Sequence, residues 1–140
     1  NYILWMCFEK RHAASAFELA KQLQGHAKIS AVKYPFLDTH PQYVIAKKQM
    51  SNGGGIVTFE LKGGIESGRK FLNALKMISM TNNLGDSRTI ASHPASTTHS
   101  KLTEQERQAV GITPGLIRIS AGLENVDDIL ADIFQALDKS

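Results

Sequence analysis

The sequence predicts a single α+β domain over residues 1–140, in which helices cover one face of a small, mainly antiparallel, four-stranded sheet. Three observations support this fold class. The 140 residues, 42% of them hydrophobic, are enough to bury a core without disulfides or metals. Each helical segment carries one apolar stripe, and short segments rich in β-branched residues alternate with these helices. Neither an internal repeat nor a linker divides the chain, so one domain is expected.

The first half of the chain is predicted to hold two helices and two strands. Apolar residues recur at helical spacing near the start, and Gly25 ends that pattern. Proline suits a first helical turn, and alternation with β-branched residues marks the strand after three glycines. The predicted bounds are a helix over Ile3–Leu23 with Phe8, Ala13, Ala16, Phe17, Ala20 and Leu23 at helical spacing, a strand over Lys28–Tyr34, a short helix after Pro41 and a strand over Ile56–Leu61.

The second half is predicted to hold three helices and two strands. Thr103 and Glu106 have the spacing of a capping box, and Asn125 is a favoured residue at a helix start. The predicted bounds are a helix from Gly64 to about Lys76 that buries Ile65, Leu72 and Leu75, a strand over Met77–Asn82, a brief helix after Thr103, a strand over Leu116–Ala121 and a helix after Asn125 with the stripe Val126, Ile129, Leu130, Ile133 and Leu137.

Composition and charge argue against several classes of function. The formal charge of +3 comes from 16 basic and 13 acidic residues spread along the whole chain, without the basic cluster that nucleic acids require. No segment is apolar for long enough to span a membrane. The single cysteine, Cys7, excludes an internal disulfide and indicates a reducing, cytoplasmic environment. The five histidines lack the spacing of a metal site.

The start of the chain is apolar but lacks the basic leader and the small-residue cleavage site of a signal peptide. It also does not begin with methionine. We therefore expect the sequence to be an internal piece of a longer polypeptide, whose other part covers Trp5 and Phe8.

Two further segments are candidates for binding. The triplet Gly53-Gly54-Gly55 precedes a strand, whereas phosphate-binding glycine loops open a helix, so a tight turn is predicted. The segment Ser87–Lys101 is rich in Ser, Thr and His, and a long polar loop in a compact domain is usually functional. We expect it to border a substrate entrance. Within it, His99 either stabilises the loop or lies near the substrate, and the other histidines are predicted to have surface or packing roles.

Arg118 is the sharpest single candidate, because it lies in the middle of an otherwise apolar strand. Alternation places it on the face opposite Ile117 and Ile119, which are expected to face the helices. A planar guanidinium suits bidentate binding of a carboxylate. The residues alone leave two alternatives open: a substrate carboxylate, or an internal salt bridge. The candidate partners for that salt bridge are Glu60, Asp86 and Glu124.

Nearly the whole chain resembles the C-terminal domain of the cystathionine gamma-synthase-like, pyridoxal-phosphate-dependent family of cysteine and methionine metabolism. The order and spacing of several motifs together make the resemblance specific. They are Arg11-His12, Val32-Lys-Tyr-Pro35, His40-Pro-Gln42, Ala46-Lys-Lys-Gln-Met50, Phe59-Glu-Leu-Lys-Gly-Gly64, Asn82-Asn-Leu-Gly-Asp86, His93-Pro-Ala-Ser-Thr-Thr-His99 and Leu116-Ile-Arg-Ile-Ser-Ala-Gly-Leu-Glu124.

The resemblance implies a fold-type I enzyme and assigns roles to residues. Arg118 would hold the α-carboxylate of an amino-acid substrate, helped by Asn82 and Asn83. The gamma-synthase and lyase branches typically have serine where this chain has Asn83. Nothing here matches the Ser-X-X-Thr-Lys-type motif whose lysine binds pyridoxal 5′-phosphate, so the large N-terminal domain is expected to hold the cofactor. The chain alone would then be inert, and the whole enzyme a homotetramer.

Within the family, the stretch from Asn83 to Arg88 and the doubled threonine at 97–98 are most similar to O-acylhomoserine sulfhydrylases. These enzymes exchange an acyl group for sulfide and form homocysteine for methionine biosynthesis. Arg88 could meet the extra carboxylate of a succinyl group, which favours O-succinylhomoserine over O-acetylhomoserine. Two alternatives remain: a methionine gamma-lyase or cystathionine gamma-synthase or lyase, and a non-catalytic module that binds an amino acid through Arg118.

Overall fold

The computed structural model describes residues 2–97 and 99–140, with side chains from residue 6 onward. The described residues form an α+β domain, as predicted, with five α-helices, one 3-10 turn and five strands. The helices are α1 (Tyr2–Leu23), α2 (Tyr43–Gln49), α3 (Gly64–Ala74), α4 (Glu104–Ala109) and α5 (Val126–Asp138), and the 3-10 turn is Pro94–Ser96. The strands are β1 (Ile29–Lys33), β2 (Ile56–Leu61), β3 (Ser79–Met80), β4 (Ile90–Ser92) and β5 (Leu116–Ser120).

The sheet has the order β1-β2-β5-β4-β3, so β5 lies at its centre. All neighbours pair antiparallel except β3 and β4, which are parallel. The prediction of a mainly antiparallel, four-stranded sheet is therefore wrong in detail, because the sheet is mixed and has a fifth strand. Strand β4 escaped prediction because it has only three residues, and serine, threonine and histidine surround its two apolar ones.

The hydrophobic core lies on one face of the sheet, under α1, α3 and α5. Ile117, Ile119 and Ala121 face these helices and are completely buried, as alternation predicts. The ring of Phe59 on β2 meets the edge of Phe71 on α3 at a centroid distance of 5.5 Å. Helices therefore cover this face, and the opposite face of β5 is left to Arg118.

Two aromatic residues of the apolar pattern in α1 lie outside the buried stripe. Phe8 and Phe17 are 42% and 38% exposed, whereas Leu19 is fully buried. The ring of Phe17 lies at the flank of the buried stripe and packs on Tyr34 at 6.0 Å. That another part of the protein covers Phe8 stays a prediction. The side chain of Trp5 lies outside the described residues.

Helix α3 ends earlier than predicted because of Asp132 on α5. The Asp132 carboxylate accepts hydrogen bonds from the backbone N–H groups of Lys76, Met77 and Ile78, each at 2.9 Å. These bonds turn the chain out of the helix at Ala74 and leave β3 only two residues long. Leu72 at this end of α3 is buried, as predicted, and so is Phe71, which was not predicted.

Ile65 and Leu75, by contrast, are only partly buried.

The pKa of Asp132 reflects this arrangement. Burial raises the pKa of the carboxyl, but the N–H groups of Ile78, Lys76 and Met77, with the Gln135 amide, outweigh it and lower the pKa below the ordinary value. The ionised form is therefore the one that holds α5 to the end of α3.

The glycine triplet forms a turn, as predicted. Gly54 has a φ of +77°, a conformation that side chains rarely adopt. The hydroxyl of Tyr34 donates to the carbonyl of Gly54 at 2.9 Å, and Gly53 packs so closely on that ring that a Cβ would collide with it. Burial raises the pKa of Tyr34 to about 12. The turn therefore accommodates the buried side chain of Tyr34.

Candidate functional site

Arg118 occupies the central strand on the face that the core helices leave open. Its register partners are Thr58 on β2 and Ser92 on β4, so three polar side chains lie side by side across the middle of the sheet. Strands on both sides hold the backbone of Arg118 in place. A functional side chain on such a framework is well positioned.

The guanidinium of Arg118 is turned toward the segment that follows β3. Its Nη2 donates to the carbonyl oxygen of Asn82 at 3.1 Å, and the side chain as a whole is only partly buried. A neutral carbonyl satisfies one of the five guanidinium N–H donors. Arg118 therefore retains capacity to bind an anion on the open face.

The alternative of an internal salt bridge does not fit the described structure. Within residues 6–97 and 99–140, the ion pairs at 4.0 Å or less do not include Arg118. Two of its three candidate partners are engaged elsewhere, since Asp86 pairs with Arg88 and Glu124 accepts from Thr89. The charge of Arg118 thus lacks a carboxylate in this part of the chain.

The crossover loop, residues 81–89, joins β3 to β4 and brings the predicted asparagines to the site. Asn82 and Asn83 are both exposed, and Asn82 meets Arg118 through its backbone carbonyl. The loop is anchored by Gly85, whose N–H donates to the hydroxyl of Ser120 at 3.2 Å. Because Ser120 and Arg118 share one face of β5, the loop lies over the open face.

Arg88 is exposed and is bound to Asp86 within the crossover loop. Its Nε and Nη2 donate to the two carboxylate oxygens of Asp86, each at 3.3 Å. The hydrogen bonds from Arg88 lower the pKa of Asp86, and those to Asp86 raise the pKa of Arg88. The structure does not pair Arg88 with Arg118, and its guanidinium already has a carboxylate partner.

A clamp formed by Thr89, Gly122 and Glu124 was not predicted from the sequence. The Glu124 carboxylate accepts from the backbone N–H of Thr89 at 2.6 Å and from its hydroxyl at 2.7 Å, while that hydroxyl accepts from the N–H of Gly122 at 2.9 Å. A Cβ on Gly122 would collide with the backbone of Arg88 and Thr89. The clamp fixes the end of the crossover loop to the end of β5.

The predicted polar loop Ser87–Lys101 needs correction. Its stretch from Thr89 to Ala95 is buried and contains β4, so only its two ends are available at a substrate entrance. His93 is completely buried, with its ring nitrogens 2.8 Å from the Ser96 hydroxyl and 2.7 Å from the Pro114 carbonyl. Polar residues misled the prediction because their hydrogen bonds are made inside the domain.

Two histidines of the predicted polar loop, His93 and His99, make contacts within the domain. His93 has a packing role, as predicted, and its ring lies against Gly68 of α3. His99 is partly buried, and its backbone N–H donates to the Pro94 carbonyl at 3.0 Å. Thr98, half of the doubled threonine, lies outside the described residues. Among the described side chains, no group of three His, Cys, Asp or Glu residues is arranged to hold a metal.

The described lysines do not form a cofactor site. All of them except Lys28 are exposed. The Lys28 ammonium donates to the carbonyls of Leu137, Asp138 and Ser140 at 2.7–3.0 Å and so caps the end of α5. A Schiff-base lysine requires surroundings that lower its pKa and a cradle for the cofactor phosphate. These residues do not fit pyridoxal phosphate by themselves.

Across residues 2–97 and 99–140, no helix is long and apolar enough to cross a membrane.

Comparisons with known proteins agree with the geometry. The family model of Cys/Met metabolism PLP-dependent enzymes matches residues 8–138. An L-methionine gamma-lyase of Fusobacterium nucleatum subsp. polymorphum is 52% identical over 93% of this chain and 33% of that protein. An O-acetyl-L-homoserine sulfhydrylase of Leptospira meyeri is 48% identical over 91% of this chain and 29% of that protein.

A solved structure of a longer protein contains the same fold. It is a candidate O-acetylhomoserine (thiol)-lyase of Campylobacter jejuni subsp. jejuni NCTC 11168, with a TM-score of 0.90, 38% identity, and coverage of 95% of this chain and 32% of that one. That protein carries N′-pyridoxyl-lysine-5′-monophosphate. The present chain spans about a third of the length of the curated relatives it matches.

Proposed function

The chain belongs to the Cys/Met metabolism PLP-dependent enzymes, and on this premise we propose that it is the C-terminal, substrate-binding domain of an O-acylhomoserine sulfhydrylase. The whole enzyme would replace the acyl group of an activated homoserine with sulfide to give homocysteine. The observation that carries the proposal is Arg118, a partly exposed cation on the central strand whose one hydrogen-bond acceptor among the described residues is the Asn82 carbonyl. Arg118 binds and orients the substrate α-carboxylate.

The crossover loop supports this assignment. Asn82 lies against Arg118, and Asn83 is its exposed neighbour, so both can take part in binding the carboxylate. Asn83 stands where the lyase and gamma-synthase branches typically have serine, which favours the sulfhydrylase branch. A methionine gamma-lyase is the second candidate, because the Fusobacterium lyase shares 52% of the aligned residues.

Arg88 is the residue that could distinguish a succinyl group from an acetyl group on the substrate. A succinyl carboxylate would have to compete with Asp86, which already accepts two hydrogen bonds from Arg88. Arg88 is exposed and Asp86 is partly exposed, so their ion pair is weak and the competition is small. We therefore keep O-succinylhomoserine, in preference to O-acetylhomoserine, as the predicted substrate.

The experiment is a substrate panel on the full-length enzyme. O-succinylhomoserine and O-acetylhomoserine are each supplied with sulfide, and L-methionine is supplied alone. Homocysteine formation with either ester at a kcat/KM well above that for methanethiol release from methionine supports the sulfhydrylase. The reverse order supports the lyase, and no turnover of any of these compounds contradicts both.

A further prediction concerns this chain in isolation. Because its lysines are exposed or engaged in capping α5, residues 1–140 should neither retain pyridoxal phosphate nor turn over an amino acid. The chain is mixed with pyridoxal phosphate, desalted and examined by visible absorbance. A stoichiometric band that survives desalting and disappears when one particular lysine is replaced would contradict the assignment of the cofactor site to another domain.

The proposal also includes an assembly and a location. A homotetramer is proposed from the family resemblance, and the exposed apolar side chains Met6 and Phe8 offer surface for contact with the rest of the protein. We also propose a cytoplasmic location, which the single free cysteine, Cys7, supports. Analytical ultracentrifugation of the full-length enzyme measures the assembly directly.

A further inference from the structure

Ser92 on β4 is a buried polar residue whose hydroxyl does not have a role in the fold. The residue is 2% exposed, and its Oγ makes no hydrogen bond with the described part of the chain. Leaving a buried hydroxyl unpaired is unfavourable, so few such groups occur in native structures and each requires an explanation. Hydrogen bonding to a ligand is one such explanation.

The position of Ser92 indicates which kind of ligand its hydroxyl would bind. Ser92 is the direct register partner of Arg118, so the two side chains rise from the same face of neighbouring strands. Such partners have Cβ atoms roughly 4.5–5.5 Å apart. An anion held by the Arg118 guanidinium is therefore within reach of a hydroxyl that rises beside it.

We infer that Ser92 is a second contact for the substrate α-carboxylate, an inference that rests on the proposed function of Arg118. A carboxylate has about four lone-pair sites and can accept a guanidinium fork and a hydroxyl together. Arg118 supplies the charge and the fork. Ser92 donates its hydroxyl proton in a hydrogen bond to one carboxylate oxygen, which fixes the rotation of the carboxylate on the sheet.

The arrangement without substrate explains why Ser92 is covered. Arg118 is a long side chain on β5 that reaches the carbonyl of Asn82, just after β3, at 3.1 Å, and the strand between β5 and β3 is β4, which carries Ser92. A bidentate carboxylate is a stronger partner for a guanidinium than one neutral carbonyl. Substrate binding therefore draws Arg118 away from Asn82 and uncovers the Ser92 hydroxyl.

Thr58 provides the matched control. It is the register partner of Arg118 on the opposite side, in β2, so it is equally close in the sheet. Thr58 is only partly buried, unlike Ser92, and its hydroxyl is not among the buried unpaired groups of the described residues. The isosteric change Thr58→Val removes a neighbouring hydroxyl without opening a cavity.

The test measures ligand binding to the full-length cofactor-loaded enzyme by calorimetry. The probes are L-norleucine, which lacks a γ leaving group, and n-pentylamine, the same molecule without the carboxylate. Ser92→Ala is expected to weaken L-norleucine binding about tenfold or more, as loss of a hydrogen bond to a charged group does, and to leave n-pentylamine binding unchanged. Thr58→Val should leave both affinities unchanged. The melting temperature of Ser92→Ala should not fall, because an unpaired buried hydroxyl is removed.

The Arg118→Ala variant separates this inference from the proposed function. If Arg118→Ala weakens L-norleucine binding and Ser92→Ala does not, the role of Ser92 is overturned and that of Arg118 stands. If Arg118→Ala has no effect, the carboxylate site itself is misplaced. A Ser92→Ala variant that melts several degrees lower and binds both probes equally less well would assign Ser92 to the fold instead.

Discussion

Replacing Arg118 by alanine in the full-length enzyme is expected to reduce kcat/KM for the amino-acid substrate by about 2–5 kcal/mol, or roughly thirty- to several thousandfold. The physical reason is that the substrate carboxylate would be desolvated without its cationic partner. Folding should be little affected, since Arg118 contributes one hydrogen bond, to the Asn82 carbonyl. Steady-state kinetics and thermal unfolding of the same preparation measure the two effects separately.

The conservative variant Arg118→Lys tests whether the positive charge alone is sufficient. A lysine keeps the charge but loses the planar fork, so it should recover only part of the lost kcat/KM. Arg69→Ala is the matched control, because Arg69 is an exposed arginine on α3 that pairs with Glu66. Unchanged kinetics in Arg118→Ala together with a collapsed melting temperature would show that Arg118 is a structural residue.

Replacing Asp132 by alanine is expected to lower the free energy of unfolding by about 3–5 kcal/mol, a value at the high end for single substitutions. The carboxylate accepts from three successive backbone N–H groups, and alanine would leave them unpaired at a partly buried site. Urea unfolding of the isolated domain or of the full-length enzyme measures this loss. Asp128→Ala is the matched control, since Asp128 is exposed on the same helix and should change stability by only a few tenths of a kcal/mol.

The same carboxylate should make stability depend on pH. The folded-state pKa of Asp132 is lower than its ordinary value of 3.8, so its stabilising contribution is fully present above that value. The contribution is lost as the pH falls through the lower, folded-state pKa. Asp132→Asn removes this titration, and its unfolding free energy should decline less steeply than that of the wild type below about pH 4. Parallel acid titrations of the two proteins that have the same slope would contradict this assignment.

The sequence predicted the central part of the site because simple periodicity determines it. Alternation along β5 places Ile117 and Ile119 under the helices and Arg118 on the opposite face, and the structure confirms this. The capping box of α4 was also predictable, because Thr103 and Glu106 interact over one turn. Features that depend on residues close together in the chain can therefore be predicted from the sequence.

Other features depend on partners distant in the chain, and periodicity does not report them. Strand β4 is recognised only from its pairing with β5, and Asp132 acts on residues more than fifty positions earlier. The buried unpaired state of Ser92 likewise appears only once β4 and β5 are side by side. Helical spacing does not distinguish the centre of a buried stripe from its flank, where Phe17 lies.

The parallel pairing of β3 and β4 has a consequence for how the substrate preference of such an enzyme can change. Two neighbouring parallel strands cannot be joined by a hairpin, so their connection has to travel back along the sheet. Here that connection is the crossover loop, which passes over the open face and is tied to β5 at Ser120 and Glu124. Both of its ends are fixed by strand register, with Ser79 opposite Ile90 and Met80 opposite Ala91. Residues 86–88 lie between these anchors and can therefore be exchanged without disturbing Arg118 or the core, so we expect variation confined to them to change which leaving group such an enzyme accepts.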